Sequence, residues 1–226
     1  MSPESALQHR YPPAPEAFAT HYSSVELPAE AFVSEPPKPR MSNPVRLITI
    51  GSMEHLYKGQ DVLLRALAIC RRAALEFTLT LVGEGAKRHW LEDLAEQLQV
   101  ADAVRFAGQL PSGTAVRREL DQADIFVQPS RQEGVPRAMI EAMARGLPCL
   151  GSSVGGIPEL FPESAIVPPG DATALAALVR MSVSPKVRGL YAAQNLAAGR
   201  RYNRTSEAFG RTVTLSGETA TRKRER

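Results

Sequence analysis

Short apolar runs alternate with longer amphipathic segments along most of this chain. The apolar runs predict six buried strands, at 45–50, 77–82, 104–107, 124–128, 148–151 and 165–167. Helical spacing predicts helices over 61–73, 90–98, 112–121, 136–146, 155–159, 171–179 and about 185–200. Ser112 and Asp171 are the predicted N-caps of two of these helices. Regular strand–helix alternation predicts an α/β fold with a mainly parallel sheet and helices on both faces.

Polar loops follow most of the predicted strands. The loops richest in glycine, serine and charge are 51–59, 83–85, 108–113, 130–136 and 152–156. Parallel strands all end at the same edge of a sheet, and ligands of open α/β sheets bind outside that edge. The sequence therefore predicts one ligand site built from these loops.

The segment from Glu133 to Glu141 marks the centre of the predicted site. Pro136 suits the first turn of a helix, and Gly146 suits its end. A helix that begins beyond a strand presents free N–H groups and a positive dipole end to an anion. Glu133 precedes the helix start, and Glu141 lies within the helix. This arrangement favours an extended anionic ligand with hydroxyl groups on both sides of a phosphate.

Each candidate residue also has a purely structural interpretation. Lys58 is either a solvated lysine or a phosphate counter-charge beside a helix start. Glu133 and Glu141 alone could be solvated, but Glu141 lies in the apolar run 138–144, where an unpaired acid is costly. Ligand hydroxyl groups are one partner that would satisfy it. Residues 155–156, both glycine, either form a tight turn or let the backbone approach a ligand.

Composition and charge narrow the class of protein. Of 226 residues, 43% are hydrophobic and 23% are charged, as in ordinary globular proteins. The chain has no long apolar run and no N-terminal signal core, so we expect it to be cytoplasmic. Cys70 and Cys149 lie in apolar runs and are expected to be reduced core residues. The net charge of +3 comes from a basic excess in 200–226, which is not interleaved with stacking aromatics, so we expect no nucleic-acid partner.

Several well-known site motifs are missing from the sequence. There is no G-x-G-x-x-G after the first strand, no P-loop and no G-x-S-x-G elbow, and Gly83 and Gly85 form only a weak G-x-G. The four histidines are scattered without metal-ligand spacing. We therefore expect no metal and no cofactor, and a ligand site made of helix N-termini and a few charges.

Several motifs together resemble the family-4 (group 1) retaining glycosyltransferases of the GT-B fold. The matching segments are 56–64, 82–85, 128–134, the E-x7-E from Glu133 to Glu141, 141–148, 155–159 and 168–171. The resemblance covers about residues 44–205 and implies a Rossmann-like domain that binds the sugar donor. Residues 1–43, which proline repeatedly interrupts, would then be a connector from an N-terminal half. Residues 206–226 would be a basic tail that could be disordered.

The resemblance also implies roles for individual residues. Lys58 would hold the diphosphate and Glu133 would face the donor sugar, and these two are the expected catalytic residues. Glu141 would bind the ribose hydroxyls. The other expected donor-binding residues lie in the same edge loops and helix start: Ser52, Gly83, the base-contacting Gly108, Gln109 and Leu110, and the backbone-contacting Gly134, Val135, Arg137 and Ala138.

Two positions depart from the family pattern. Ser52 stands where the family often has arginine. One positive charge that would bind the phosphate is therefore missing, or is supplied by Arg131 or Arg137. Pro136 replaces the second loop glycine, which removes an N–H group and stiffens the loop.

The expected function is retaining transfer of a sugar from a UDP- or GDP-linked donor to an unknown acceptor, which could be a sugar, a lipid or a small molecule. We expect the acceptor-binding N-terminal domain to be absent from this chain, and transfer by the chain alone to be slow or undetectable. The full-length enzyme could contact a membrane peripherally. One alternative is a non-catalytic nucleotide-sugar-binding module that works with a separate acceptor-binding subunit. Another is a dehydrogenase-like domain, against which the missing G-x-G-x-x-G counts.

Overall fold

The computed structural model describes Val25 and residues 27–40, 43–160 and 162–222, with side chains described as far as Asn203. The part of the predicted connector before Val25 lies outside the described residues. None of the described helices combines the length and apolarity that crossing a membrane requires.

A six-stranded parallel sheet forms the centre of the fold, with strand order β3-β2-β1-β4-β5-β6. The strands are β1 (Val45–Ile50), β2 (Phe77–Val82), β3 (Val104–Gly108), β4 (Ile125–Gln128), β5 (Cys149–Ser152) and β6 (Ile166–Val167). Strand order reverses between β1 and β4, so the loops after these two strands flank the topological switch point. The predicted Rossmann-like α/β fold is confirmed.

Six α-helices of the described residues cover the sheet in two layers. They are α1 (Gln60–Arg72), α2 (Arg88–Gln97), α3 (Thr114–Gln122), α4 (Arg137–Ala144), α5 (Ala172–Ser182) and α6 (Pro185–Arg222). Helix α1 packs against α2 and α5, whereas α4 packs against α3 and α6. The sheet is therefore buried on both faces, and all four residues of β4 and of β5 are buried.

Two predicted helix caps have different outcomes. The Asp171 side chain accepts a hydrogen bond of 2.8 Å from the Ala174 N–H, which confirms it as the N-cap of α5. The prediction for Ser112 is wrong. The N-cap of α3 is Gly113, which forms no side-chain cap, because the chain turns at this glycine with φ of 87° and the helix begins only at Thr114.

Helix α6 is longer than its periodicity predicted. It continues past residue 200 to Arg222, and so includes most of the segment predicted as a separate tail. Near residue 200 it holds the connector: Arg200 donates hydrogen bonds to the carbonyl oxygens of Val33 (2.6 Å) and Ser34 (2.8 Å). The Val33 N–H in turn donates to the carbonyl of Ala144 at the end of α4. The described part of the connector is thus anchored to the domain.

Candidate functional site

A cleft of about 320 Å³ lies at the carboxyl edge of the sheet, beside the ends of β1, β2 and β4 and the start of α4. Most of the predicted donor-site residues line it: Ser52, Lys58, Gly83, Gln109, Leu110, Glu133, Val135, Arg137, Ala138 and Glu141. Gly108 and Gly134 are not among the lining residues. Their carbonyl oxygens accept hydrogen bonds of 2.9 Å from the N–H groups of Gly83 and Gly156, so both help to join neighbouring loops.

Lys58 and Glu133 form an ion pair inside the cleft. The Lys58 Nζ lies 2.8 Å from Oε1 and 2.7 Å from Oε2 of Glu133. Both side chains are largely buried, with 19% and 8% of their surface exposed. Ser130 Oγ donates to the same carboxylate at 3.0 Å and accepts a hydrogen bond from Gln128 Nε2 at 3.1 Å. The two predicted catalytic residues are therefore direct partners within a hydrogen-bonded chain.

The backbone beside Lys58 is held in place by a glycine. Gly59 adopts φ of 75°, and a Cβ built on it would lie 2.0 Å from the carbonyl oxygen of Pro129. Only a residue without a side chain lets these two loops approach so closely. The contact brings the loop after β1 against the loop after β4, and this proximity lets Lys58 reach Glu133.

A second glycine contact involves residues 155–156, for which the sequence allowed either a tight turn or a backbone approach to a ligand. Gly155 has φ of 54°, and a Cβ there would lie 1.9 Å from the carbonyl oxygen of Glu133. The neighbouring Gly156 N–H donates to Gly134. These glycines let the loop after β5 pack against the Glu133 loop.

Helix α4 begins one residue later than predicted. Pro136 is its N-cap, with extended φ and ψ of −74° and 112°, and is not its first helical residue. The Pro136 carbonyl accepts hydrogen bonds from Met139 and Ile140. The N–H groups at the start of a helix have no intrahelical acceptor, and here they belong to Arg137 and Ala138, both of which line the cleft. The helix start can therefore offer two N–H donors and a positive dipole end to an anion.

Glu141 has a protein partner in addition to its place in the cleft. Its side chain is 11% exposed, and Oε1 accepts a hydrogen bond of 3.1 Å from Nε of Arg137, one helical turn earlier. This ion pair offsets part of the cost of an acid within an apolar helix. Glu141 does not need a ligand to be satisfied, but it remains available to one at the cleft wall.

Arg131 is not positioned to supply the charge that Ser52 lacks. Its guanidinium makes two hydrogen bonds of 2.7 Å to the Asp61 carboxylate and a third to the carbonyl of Leu56. The bonds to Asp61 raise the pKa of Arg131. Arg131 is not among the residues that line the cleft, whereas Arg137 is. Of the two arginines considered, Arg137 is therefore the better placed to supply the missing positive charge.

Sequence reasoning missed Gln128, the last residue of β4. It is buried at the floor of the cleft, and its Oε1 atom has no hydrogen-bond partner among the described residues. A polar residue at the end of the otherwise apolar run Ile125–Gln128 was the available signal. Three other lining residues, Ile50, Val82 and Val116, lie outside the predicted loops, whereas Gly51, Ser112 and Pro136 belong to them.

The described residues contain no group of three or more His, Cys, Asp or Glu side chains that could hold a metal ion. Cys70 and Cys149 are buried free thiols. Burial raises the pKa of Cys70 to about 11 and raises that of Cys149 as well. Both thiols are therefore protonated core groups at neutral pH.

Known proteins resemble this chain in sequence and in fold. It is 35% identical over 152 residues to the amylovoran biosynthesis glycosyltransferase AmsK of Erwinia amylovora, covering 63% of this chain and 37% of AmsK. It is 34% identical over 179 residues to the glycogen synthase of Mycobacterium tuberculosis, covering 78% and 42% of the two chains. The crystal structure of Anabaena HepE in complex with UDP-glucose has a TM-score of 0.68 at 22% identity, over 76% of this chain and 49% of HepE.

This chain spans less than half the length of each of these relatives. The family model described as "Glycosyl transferases group 1" matches residues 44–183, which contain the whole cleft. The chain therefore belongs to the group 1 glycosyl transferases and has the Rossmann-like fold of a GT-B domain.

Proposed function

We propose that this chain is the donor-binding domain of a retaining, family-4 glycosyltransferase that takes its sugar from a nucleoside diphosphate sugar. The observation that carries the proposal is the Lys58–Glu133 ion pair beside the N-terminus of α4, within one cleft. A cation and a helix start suit a diphosphate, and an adjacent carboxylate suits sugar hydroxyls.

Each group has a distinct part in the proposed reaction. Lys58 exchanges part of its contact with Glu133 for a phosphate oxygen, and the Arg137 and Ala138 N–H groups bind the same diphosphate. Negative charge develops on the diphosphate as the bond to the sugar breaks. Preorganised donors aimed at that charge stabilise the transition state more than the ground state. Glu133 is then free to accept hydrogen bonds from the donor sugar.

The remaining cleft residues would bind the nucleoside. Glu141 lies within α4, on the far side of the helix start from Glu133, and would accept hydrogen bonds from the ribose hydroxyls. Gln109 and Leu110 line the cleft after β3 and would contact the base. A UDP-linked donor is our first candidate, supported by the bound UDP-glucose of the structurally similar HepE.

We propose that acceptor binding needs the part of the relatives that this chain does not match. The matched relatives are more than twice as long as the segment they share with this chain. Alone, the chain is expected to bind the nucleotide but to transfer sugar slowly or not at all.

Isothermal titration calorimetry with UDP and GDP tests nucleotide binding. Wild type should bind at least one of them, and Glu141→Ala should weaken binding about tenfold through loss of a charged hydrogen-bond acceptor. Glu96→Ala removes an exposed acid from α2 and is the matched control, with unchanged affinity expected. The proposal fails if no nucleoside diphosphate gives a binding signal, or if Glu141→Ala binds as tightly as wild type.

A further inference from the structure

Two buried polar residues support the Glu133 carboxylate, and the donor site proposed above gives neither of them a role. Gln128 is the last residue of β4 and is 1% exposed, and Ser130, in the loop that follows, is fully buried. Ser130 is not among the residues that line the cleft. A ligand in the cleft therefore does not touch the Ser130 hydroxyl, and any effect of this residue on the ligand has to pass through Glu133.

The hydrogen bonds between these residues run in one direction. The amide nitrogen Nε2 of Gln128 can only donate, so Ser130 Oγ accepts from it at 3.1 Å. A hydroxyl group has one proton, and that of Ser130 is directed to Oε2 of Glu133 at 3.0 Å. Gln128 therefore fixes the direction in which Ser130 donates. The result is a buried donor aimed at a single carboxylate oxygen.

Ser130 is held through its backbone as well. Its carbonyl oxygen accepts a hydrogen bond from the hydroxyl of Ser152, the last residue of β5, which is also fully buried. The next N–H group, that of Arg131, donates at 2.7 Å to the carbonyl of Tyr57 in the loop after β1. Contacts to two neighbouring segments thus fix the position of this serine. A rigid support of this kind keeps a functional side chain close to one geometry.

The two oxygens of the Glu133 carboxylate have different partners. Lys58 Nζ lies 2.8 Å from Oε1 and 2.7 Å from Oε2, whereas Ser130 contacts Oε2 alone. In the proposed reaction, Lys58 gives up part of this contact to bind the diphosphate. Oε2 then keeps its bond to Ser130, but Oε1 has no other hydrogen-bond partner among the described residues. Oε1 is therefore the oxygen that becomes available to a ligand.

We propose that Gln128 and Ser130 are positioning residues that hold Oε2 of Glu133, so that Oε1 accepts a hydrogen bond from a hydroxyl of the donor sugar. The inference rests on the proposed donor site and adds to it the orientation of the carboxylate. Without Ser130, the carboxylate would rotate or follow Lys58 towards the diphosphate. The hydrogen bond to the sugar would then be lost or misdirected, while the contacts to the nucleotide would remain.

Calorimetric titration of the whole chain with UDP and with UDP-glucose tests this proposal. The dissociation constant for UDP-glucose divided by that for UDP, compared between variants, cancels the contacts that the two ligands share. Ser130→Ala should raise this ratio about tenfold, through loss of a hydrogen bond to a charged group, and leave the affinity for UDP little changed. Gln128→Met keeps the Ser130 hydroxyl but removes its orienting donor, and should raise the ratio less. GDP and GDP-mannose replace this pair of ligands if the chain binds GDP and not UDP.

A double-mutant cycle with Glu133→Ala separates positioning from a general loss of structure. Glu133→Ala alone should raise the ratio, and the addition of Ser130→Ala should raise it no further, because Ser130 acts through Glu133. Ser182→Ala is the matched control. It removes another fully buried serine, in α5, whose hydroxyl has no hydrogen-bond partner in the described part of the chain. Both affinities of this control should stay as in wild type.

The proposal is overturned if Ser130→Ala leaves the ratio unchanged, or if it weakens the binding of both ligands equally. It is also overturned if the effects of Ser130→Ala and Glu133→Ala on the ratio are additive. In each of these cases, nucleotide binding by the wild type would still support the donor site. If neither nucleotide binds, the donor site itself fails and this inference falls with it. If Ser130→Ala does not fold, an unchanged ratio in Gln128→Met overturns the proposal.

Discussion

Single residues in the cleft serve both stability and chemistry. Lys58 and Glu133 satisfy each other in the folded protein, and Ser130 and Gln128 extend that contact into the sheet. The same pair is proposed to open towards a diphosphate and a sugar. Substitution of either residue should lower the stability of the domain as well as its affinity for ligand. Both quantities therefore have to be measured for each variant.

Lys58→Ala should destabilise the domain, because it leaves the largely buried Glu133 carboxylate without its cation. We expect a loss of about 2 kcal/mol in urea unfolding, below the 3–5 kcal/mol of fully buried pairs since some water reaches Lys58. The double variant Lys58→Ala/Glu133→Gln should recover part of this loss. Asp102→Ala breaks an exposed ion pair with Arg71 and should change stability much less. Equal losses in the single and double variants would contradict a coupled pair.

The raised pKa of Cys70 predicts a pH dependence of stability. In the unfolded chain this thiol ionises near its ordinary pKa of 9.0, but in the folded protein it ionises only near 11. Between these values the unfolded state holds fewer protons, so the free energy of unfolding should fall as the pH rises from 9 to 11. Cys70→Ala should show a shallower decline over this range in urea titrations at fixed pH values. Identical slopes would show that other groups cause the whole effect.

At the scale of elements, the cleft depends on close contacts between loops. The loop after β4 carries Glu133, and it is held from one side by Gly59 against Pro129 and from the other by Gly155. Both contacts place backbone against backbone. Such contacts cannot adjust by rotating a side chain, so the carboxylate position is set by the loops around it.

Gly155→Ala should therefore displace the Glu133 loop. The new Cβ would lie 1.9 Å from the Glu133 carbonyl oxygen, at a positive φ that alanine rarely adopts. We expect a loss of at least about 2 kcal/mol in stability, together with weaker nucleotide binding. Gly134→Ala is the stability control in the neighbouring loop, since its Cβ would meet no atom within 4 Å. Equal unfolding midpoints for the two variants would contradict this account.

At the scale of the whole molecule, α6 and the connector close the sheet along its amino-terminal side. Leu27 and Asn203 exchange two hydrogen bonds, Arg200 binds the carbonyls of Val33 and Ser34, and Arg188 binds that of Arg40. These contacts join segments more than 140 positions apart in the chain. The connector is thus part of the domain's packing, although the domain boundaries themselves stay a prediction.

Arg200→Met should release the middle of the connector, because two carbonyl oxygens lose their donor. Limited proteolysis should then cut between residues 27 and 40 several-fold faster than in wild type. Lys186→Met, an exposed cation of the same helix, is the matched control and should leave the cleavage rate unchanged. A connector that is cut equally fast in wild type and Arg200→Met would argue against this anchor.

The sequence determined the strands, most helix positions and the edge of the sheet that holds the cleft. Hydrophobic periodicity within each segment was sufficient for these features, because strand and helix formation depends on neighbours a few residues away. The placement of loops after parallel strands also brought Lys58, Glu133 and Glu141 to one edge of the sheet, and the family resemblance added Arg137 to that site.

Only the tertiary structure decided which partner each polar group has. Arg131 turns to Asp61 and not to the cleft, Glu141 pairs with Arg137, and Arg188 lies buried with two unused donors. Spacing along the chain predicts the Arg137–Glu141 pair, whose members lie one helical turn apart. It does not predict the other two outcomes. They depend on how segments that are far apart in the sequence pack together, because each polar group is surrounded by side chains from several elements.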